Sequence, residues 1–132
     1  MKKLLVDTSV IIDFLRREDK DKSILFALAQ DKYQLYMSIV THTELYAGKS
    51  VWESKEATKD LEAMFSGIEI LPLQEEISKK AGEIKARLKI NLLDAIIAAT
   101  ALFSGLDLAT LNIKGFKKVD GIKLFKIHLV HK

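Results

Sequence analysis

Short apolar runs alternate along this chain with stretches of helical periodicity, and no other feature constrains the fold as much. Lys3 to Val6 is a brief apolar run closed by Asp7-Thr8-Ser9, a cluster suited to capping a helix that Val10-Ile11-Ile12 and Phe14-Leu15 continue. Further strands are expected at Gln34–Ile39, Ile68–Leu73 and Leu106–Leu111, with a fifth within Ile122–Val130. Between them, helices are expected around Ser23–Gln30, Thr41–Gly48 and Lys55–Phe65. Two more are expected where Ile77, Ala81, Ile84 and Leu88 repeat at helical spacing and over Leu92–Phe103. Strands separated by helices imply a parallel sheet covered on both faces. The expected fold is therefore α/β, a three-layer α/β/α arrangement around a central parallel sheet of about five strands.

The chain has 132 residues, and no Gly/Ser or Pro run, low-complexity tract or repeat divides it, so residues 1–132 are expected to form a single domain. There is no cysteine, which excludes a disulfide framework, a thiolate zinc site, an iron–sulfur cluster and a cysteine nucleophile. Any chemistry must rely on oxygen and nitrogen groups. The apolar start Leu4-Leu5-Val6 is interrupted by Asp7 before it could serve as an export signal, and Ala95 to Phe103 is far too short to span a bilayer. A soluble, cytoplasmic protein without a membrane partner is expected.

Ligands of parallel sheets collect beyond the carboxyl ends of the strands. There the sequence places Asp7 after the first strand, Glu44 early in the helix after the second, and Thr110 with Asn112 after the fourth. Asp94 lies between Leu92-Leu93 and Ala95-Ile96-Ile97, in the helix least able to offer it water. An ionised carboxylate buried there must be protonated, paired or bound to a cation. Local explanations exist for each residue: Asp7 could cap a helix, Glu44 could close a capping box opened by Thr41, and Asp94 could favour a helix dipole or pair with Arg87 or Lys89. Taken together, three carboxylates on one sheet edge repel unless a cation sits among them. All-oxygen ligation suits Mg²⁺ or Mn²⁺, and hydrolysis of a phosphodiester is the reaction class that such a site serves.

Four segments carry a resemblance that runs nearly end to end. They are Leu5-Val6-Asp7-Thr8-Ser9 with Ile12; Ser38-Ile39-Val40-Thr41-His42-Thr43-Glu44-Leu45-Tyr46-Ala47-Gly48; Leu93-Asp94-Ala95-Ile96-Ile97-Ala98-Ala99-Thr100-Ala101; and Thr110-Leu111-Asn112-Ile113-Lys114-Gly115-Phe116. In order and spacing they resemble the PIN domain, specifically the small VapC-type toxin ribonucleases of bacterial and archaeal toxin–antitoxin pairs. The resemblance implies a Mg²⁺- or Mn²⁺-dependent endoribonuclease that cuts RNA, is inhibited by a small antitoxin from an adjacent gene and forms a homodimer. It also implies that Asp7, Glu44 and Asp94 are the catalytic metal ligands, that Thr8 or Ser9 and Thr110 support them, and that Asn112 assists.

The fourth segment departs from the family pattern. Gly115 and Asn112 stand where many members carry an acidic residue, so one well-occupied metal and a weaker second are expected. The loop before Asp94 is short, reduced to Lys89-Ile90-Asn91. Asp120, beside Gly121, reads as a turn aspartate. Asp13, Arg16 and Arg17 read as solvent-facing charges, His42 as a surface or capping group rather than a ligand, and Tyr36, Tyr46 and Trp52 as core or dimer contacts. His128 and His131 are tail residues.

The net charge of +3 is unevenly spread. Residues 1–112 carry 15 basic and 17 acidic groups, whereas 113–132 carry six lysines and one aspartate. Lys114, Lys117 and Lys118 are therefore expected to hold an RNA backbone beside the acidic site. Two rival readings keep the domain but change the role: a stand-alone PIN nuclease in RNA maturation, and a non-cleaving RNA-binding or regulatory module. A receiver-like signalling domain fits the placements of Glu44 and Asp94 poorly.

Overall fold

The computed structural model describes residues 2–127. Four strands, β1 (Lys3–Val6), β2 (Gln34–Ser38), β3 (Glu69–Leu71) and β4 (Asp107–Ala109), form one parallel sheet in the order β3-β2-β1-β4. Seven α-helices connect and flank them: α1 (Thr8–Arg16), α2 (Ile24–Gln30), α3 (Ile39–Tyr46), α4 (Lys55–Phe65), α5 (Glu75–Arg87), α6 (Leu92–Ser104) and the short α7 (Ile113–Phe116).

The two-residue period of the strands sorts the core into two layers. Leu4 and Val6 of β1, Leu35 and Met37 of β2 and Ala109 of β4 pack with Val10 and Ile11 of α1, Leu25 and Leu28 of α2 and Leu61 of α4. The alternate residues Leu5, Tyr36 and Leu108 point the other way, onto Ile77, Ala81 and Ile84 of α5 and Ala95, Ile97 and Ala98 of α6. Truncating a fully buried Leu or Ile in either layer to alanine costs about 2–5 kcal/mol. The three-layer α/β/α arrangement expected from the sequence is the one observed.

The fifth strand is reduced to a single bridge. Leu108 donates to Lys123 O and accepts from Phe125 N, both at 2.8 Å, which pairs Leu124 with β4 at one position only. β4 is itself three residues long; the rest of the expected strand, with His128 and His131, lies outside the described residues. Elsewhere the boundaries shift for local reasons. β3 stops at Leu71 because Pro72 follows, and α6 stops at Gly105, whose φ of 66° is the left-handed value that favours glycine. α3 begins at Ile39, with Ser38 Oγ accepting from Val40 N at 3.1 Å.

The strand order positions the site. After β1 the chain steps outward through β2 and β3 and then returns to the opposite side of β1 as β4, so the sheet switches direction between β1 and β4. Asp7 and Thr110 are the residues leaving the sheet on either side of that switch, where a crevice opens.

Candidate active site

Asp7 continues the ladder by one bond, its N–H donating to Ala109 O at 2.9 Å, before α1 begins. It occupies the N-cap position of α1, but its side chain makes no capping hydrogen bond, so capping does not explain it. The carboxylate turns toward β4 instead. Its Oδ2 accepts from Ser9 Oγ and Thr110 Oγ1, each at 2.7 Å. Those hydroxyls are oriented in turn by the backbone, since Ser9 Oγ accepts from Leu111 N at 3.0 Å and Thr110 Oγ1 from Asn112 N at 2.9 Å. With a backbone N–H donating to its oxygen, each hydroxyl directs its proton at Asp7. The residue is only 4% exposed. Oδ1 takes no hydrogen bond from the described residues, and since no buried polar side-chain atom among them lacks a partner, this oxygen is not fully buried.

Glu44 is held from α1. Thr8 Oγ1 donates to Glu44 Oε1 at 2.7 Å and lies 3.1 Å from the hydroxyl of Thr41. Because Ser38 caps α3 and Thr41 is fully buried against Thr8, the capping box between Thr41 and Glu44 does not form. The Thr–x–x–Glu spacing instead serves a tether between two helices.

Asp94 is the third residue of α6 and is half-buried, while Asn91 Oδ1 caps the helix by accepting from Leu93 N at 2.9 Å and Asp94 N at 3.2 Å. A helix N-terminus alone would lower a carboxyl pKa. Here burial, then the negative charges of Asp7 and Glu44, push it up from 3.8 to about 6. Neither expected ion pair forms: Arg87 Nε reaches Glu83 at 3.4 Å, and among the described residues no salt bridge involves Asp7, Glu44 or Asp94. The three carboxylates repel one another without a protein cation. They do not close into a compact cage, since among the described residues no three His, Cys, Asp or Glu side chains converge as a ready-made metal site. The donor set is nonetheless all-oxygen and uncompensated in charge, which fits a hard divalent cation that keeps several waters.

Asn112 caps α7, its Oδ1 accepting from Gly115 N at 3.3 Å. A Cβ on residue 115 would lie 2.6 Å from Asn112 Nδ2. The two departures from the family pattern are thus linked in space: the Asn112 side chain fills the room a side chain at 115 would need. Lys114, Lys117 and Lys118 are exposed. Lys118 also lines a groove with Lys80, Glu83 and Arg87 of α5.

Among the other residues, Asp13 differs from the sequence reading, while Tyr36 and Asp120 agree with it. The Asp13 side chain is 13% exposed and bonded at both oxygens, to Arg17 Nε at 3.0 Å and Ile24 N at 3.1 Å, so it ties α1 to α2 instead of facing solvent. His42 is half-buried, 4.8 Å from the ring centroids of both Tyr46 and Phe65. Tyr36 is buried in the core, whereas Trp52 is 66% exposed, its Nε1 donating to Tyr46 O at 2.7 Å. Asp120 is exposed beside Gly121. A cavity of about 590 Å³ lies away from the carboxylates, between Phe14 and Leu15 of α1 and Leu61 and Met64 of α4. No helix of the described residues is long and apolar enough to cross a membrane.

The chain is similar to proteins of known family and fold. The profile of the PIN domain matches residues 4–122. Ribonuclease VapC19 of Mycobacterium tuberculosis is 33% identical over 117 residues, which cover 85% of this chain and 90% of that protein. Among solved structures, a toxin–antitoxin complex from Klebsiella pneumoniae contains a chain that is 25% identical, with a TM-score of 0.71 over 90% of this chain and 94% of that one. A DNA-bound VapBC from Salmonella typhimurium shares the fold with a TM-score of 0.81 at 22% identity, covering 96% and 99% of the two chains.

Proposed function

The chain belongs to the PIN-domain family, and from that premise we propose that it is a metal-dependent endoribonuclease, the toxin of a toxin–antitoxin pair, with Asp7, Glu44 and Asp94 as its metal ligands. The observation that carries the reading is that Asp7 and Glu44 come close enough to Asp94 for their charges to act on it, while among the described residues none of the three has a salt-bridge partner. Mg²⁺ or Mn²⁺ bound there would supply a Lewis acid that polarises the phosphodiester and acidifies a water. The chain's own part is positioning. Ser9 and Thr110 fix one oxygen of Asp7 and leave the other without a hydrogen bond from the described residues, and Thr8 fixes one oxygen of Glu44. Asn112, whose Oδ1 also accepts from Gly115 N, would add an amide oxygen at the rim, and Lys114, Lys117 and Lys118 offer exposed positive charge for the RNA backbone.

In this reading residues 1–132 are one PIN unit working in the cytoplasm, RNA is the substrate, and a small antitoxin from an adjacent gene is the inhibitor. Exposed Leu92 and Phe103 on α6, 54% and 55% accessible, suit the homodimer that the resemblance implies. One observation favours a second reading: with Gly115 and Asn112 in place of a further carboxylate, a non-cleaving RNA-binding module would need no stronger site. Cleavage assays separate the two. The wild-type chain should cut single-stranded RNA with Mn²⁺, and Asp94→Asn should lose more than about a hundredfold of that rate while keeping its fold by circular dichroism. An active Asp94→Asn enzyme would refute the assignment.

A further inference from the structure

Next to the carboxylates, α1 presents a second functional face. Ser9, Ile12, Asp13 and Arg16 follow one another at i, i+3, i+4 and i+7, so they share one side of the helix. With Arg17 and Leu111 they line an open groove of about 490 Å³. One end of this groove is Ser9, whose hydroxyl is bonded to Asp7. Its other end is Arg16, about 10 Å further along the helix axis.

The two arginines of the groove are not equivalent. Arg17 is neutralised by Asp13, whose second oxygen is taken by the backbone of Ile24. Arg16 is exposed and makes no salt bridge among the described residues. The floor between the ends is apolar, with Ile12 half-buried and Leu111 50% exposed. An uncompensated guanidinium, an apolar floor and continuity with the acidic centre together describe a track for a polyanion that also carries flat apolar groups.

We propose that this groove is a binding track for single-stranded RNA running away from the carboxylates, with Arg16 holding a backbone phosphate and Ile12 and Leu111 packing against a base. The identity of the strand as RNA rests on the nuclease reading above. The span from Ser9 to Arg16 matches roughly three stacked nucleotides. Arginine suits the position, because its planar fork can hold a phosphate through two parallel hydrogen bonds where lysine offers a point charge. The cation also offsets the repulsion that the carboxylates exert on an approaching phosphate chain.

The test measures binding and cleavage separately. In the Asp94→Asn background, the affinity of a short fluorescent single-stranded RNA is measured by anisotropy across a range of KCl concentrations, with and without Arg16→Ala. The expected result is about five- to tenfold weaker binding. The slope of log affinity against log salt should also shrink by about 0.7, the loss of one phosphate contact to a single strand. Arg16→Lys should recover the slope but only part of the affinity, and Lys85→Ala, which removes a charge from the exposed side of α5, should leave the slope unchanged. With Asp94 intact, Arg16→Ala should raise KM several-fold and leave kcat within about twofold. An unchanged slope in Arg16→Ala, or an equal loss in Lys85→Ala, would overturn the proposal. So would an Arg16→Ala protein that handles RNA normally and loses only its inhibition by an antitoxin, which would give the groove to a protein. If the wild-type chain binds RNA through Arg16 yet cuts nothing, the nuclease reading fails while the track stands.

Discussion

Asp94 converts the arrangement of the site into something pH can read. Its pKa is raised to about 6 by burial and by the charges of Asp7 and Glu44, so the folded metal-free chain holds this proton more tightly than the unfolded chain does. Below the ordinary carboxyl value both states are protonated and nothing is lost. As pH rises from about 4 to about 6 the unfolded state gives up the proton first, and the native state loses stability relative to it. A divalent cation reverses the sign by favouring the carboxylate. The melting temperature of metal-free wild type should therefore fall relative to Asp94→Asn across that interval and level off above it, while Mn²⁺ affinity climbs through the same range. Parallel melting curves for the two proteins at every pH would show that the carboxylates do not sense one another. Asp94 was also the residue most legible in the sequence, because a charge amid Leu92, Leu93, Ala95 and Ile97 has few explanations. Asp13 was not legible: its helical position points outward, and only the return of the chain at Ile24 buries it.

Element boundaries show where local pattern and tertiary context part company. The Thr41 to Glu44 spacing fits a capping box, and nothing local rejects it. What decides is the end of β2 at Ser38, which starts α3 two residues before Thr41 and frees Thr41 to meet Thr8 from another helix. Of the fifth strand, the described residues show one bridge, Leu124 to Leu108 of β4. The turn into α7 supports a prediction at this scale. Asn112 and Gly115 exclude a side chain at 115 unless Asn112 swings away. Gly115→Asp should displace Asn112 from the Gly115 N–H and destabilise the protein by about 1 kcal/mol through the lost cap. It should also tighten a second Mn²⁺ in calorimetric titration, since a fourth carboxylate then joins the rim. A Gly115→Asp protein that still binds a single Mn²⁺ would place residue 115 outside the site.

At the scale of the whole molecule, sequence order and spatial order coincide at one place. Asp7, Glu44, Asp94 and Thr110 are scattered over more than a hundred positions, yet the strand order β3-β2-β1-β4 brings the ends of β1 and β4 together and sets α3 and α6 beside them. That convergence was legible because parallel strands place their carboxyl ends on one edge. The charge pattern was less so. The lysine-rich segment is plain along the chain, but nothing there marks Arg16, which lines a groove with Ser9 at the edge of the site. The central claim is that the three carboxylates share a divalent cation, and anomalous diffraction from a crystal soaked in Mn²⁺ tests it most directly. The account predicts a strong peak bounded by Asp7, Glu44 and Asp94, lost in Asp94→Asn crystals; a soaked crystal with no peak there, or one equally strong in the variant, would contradict it.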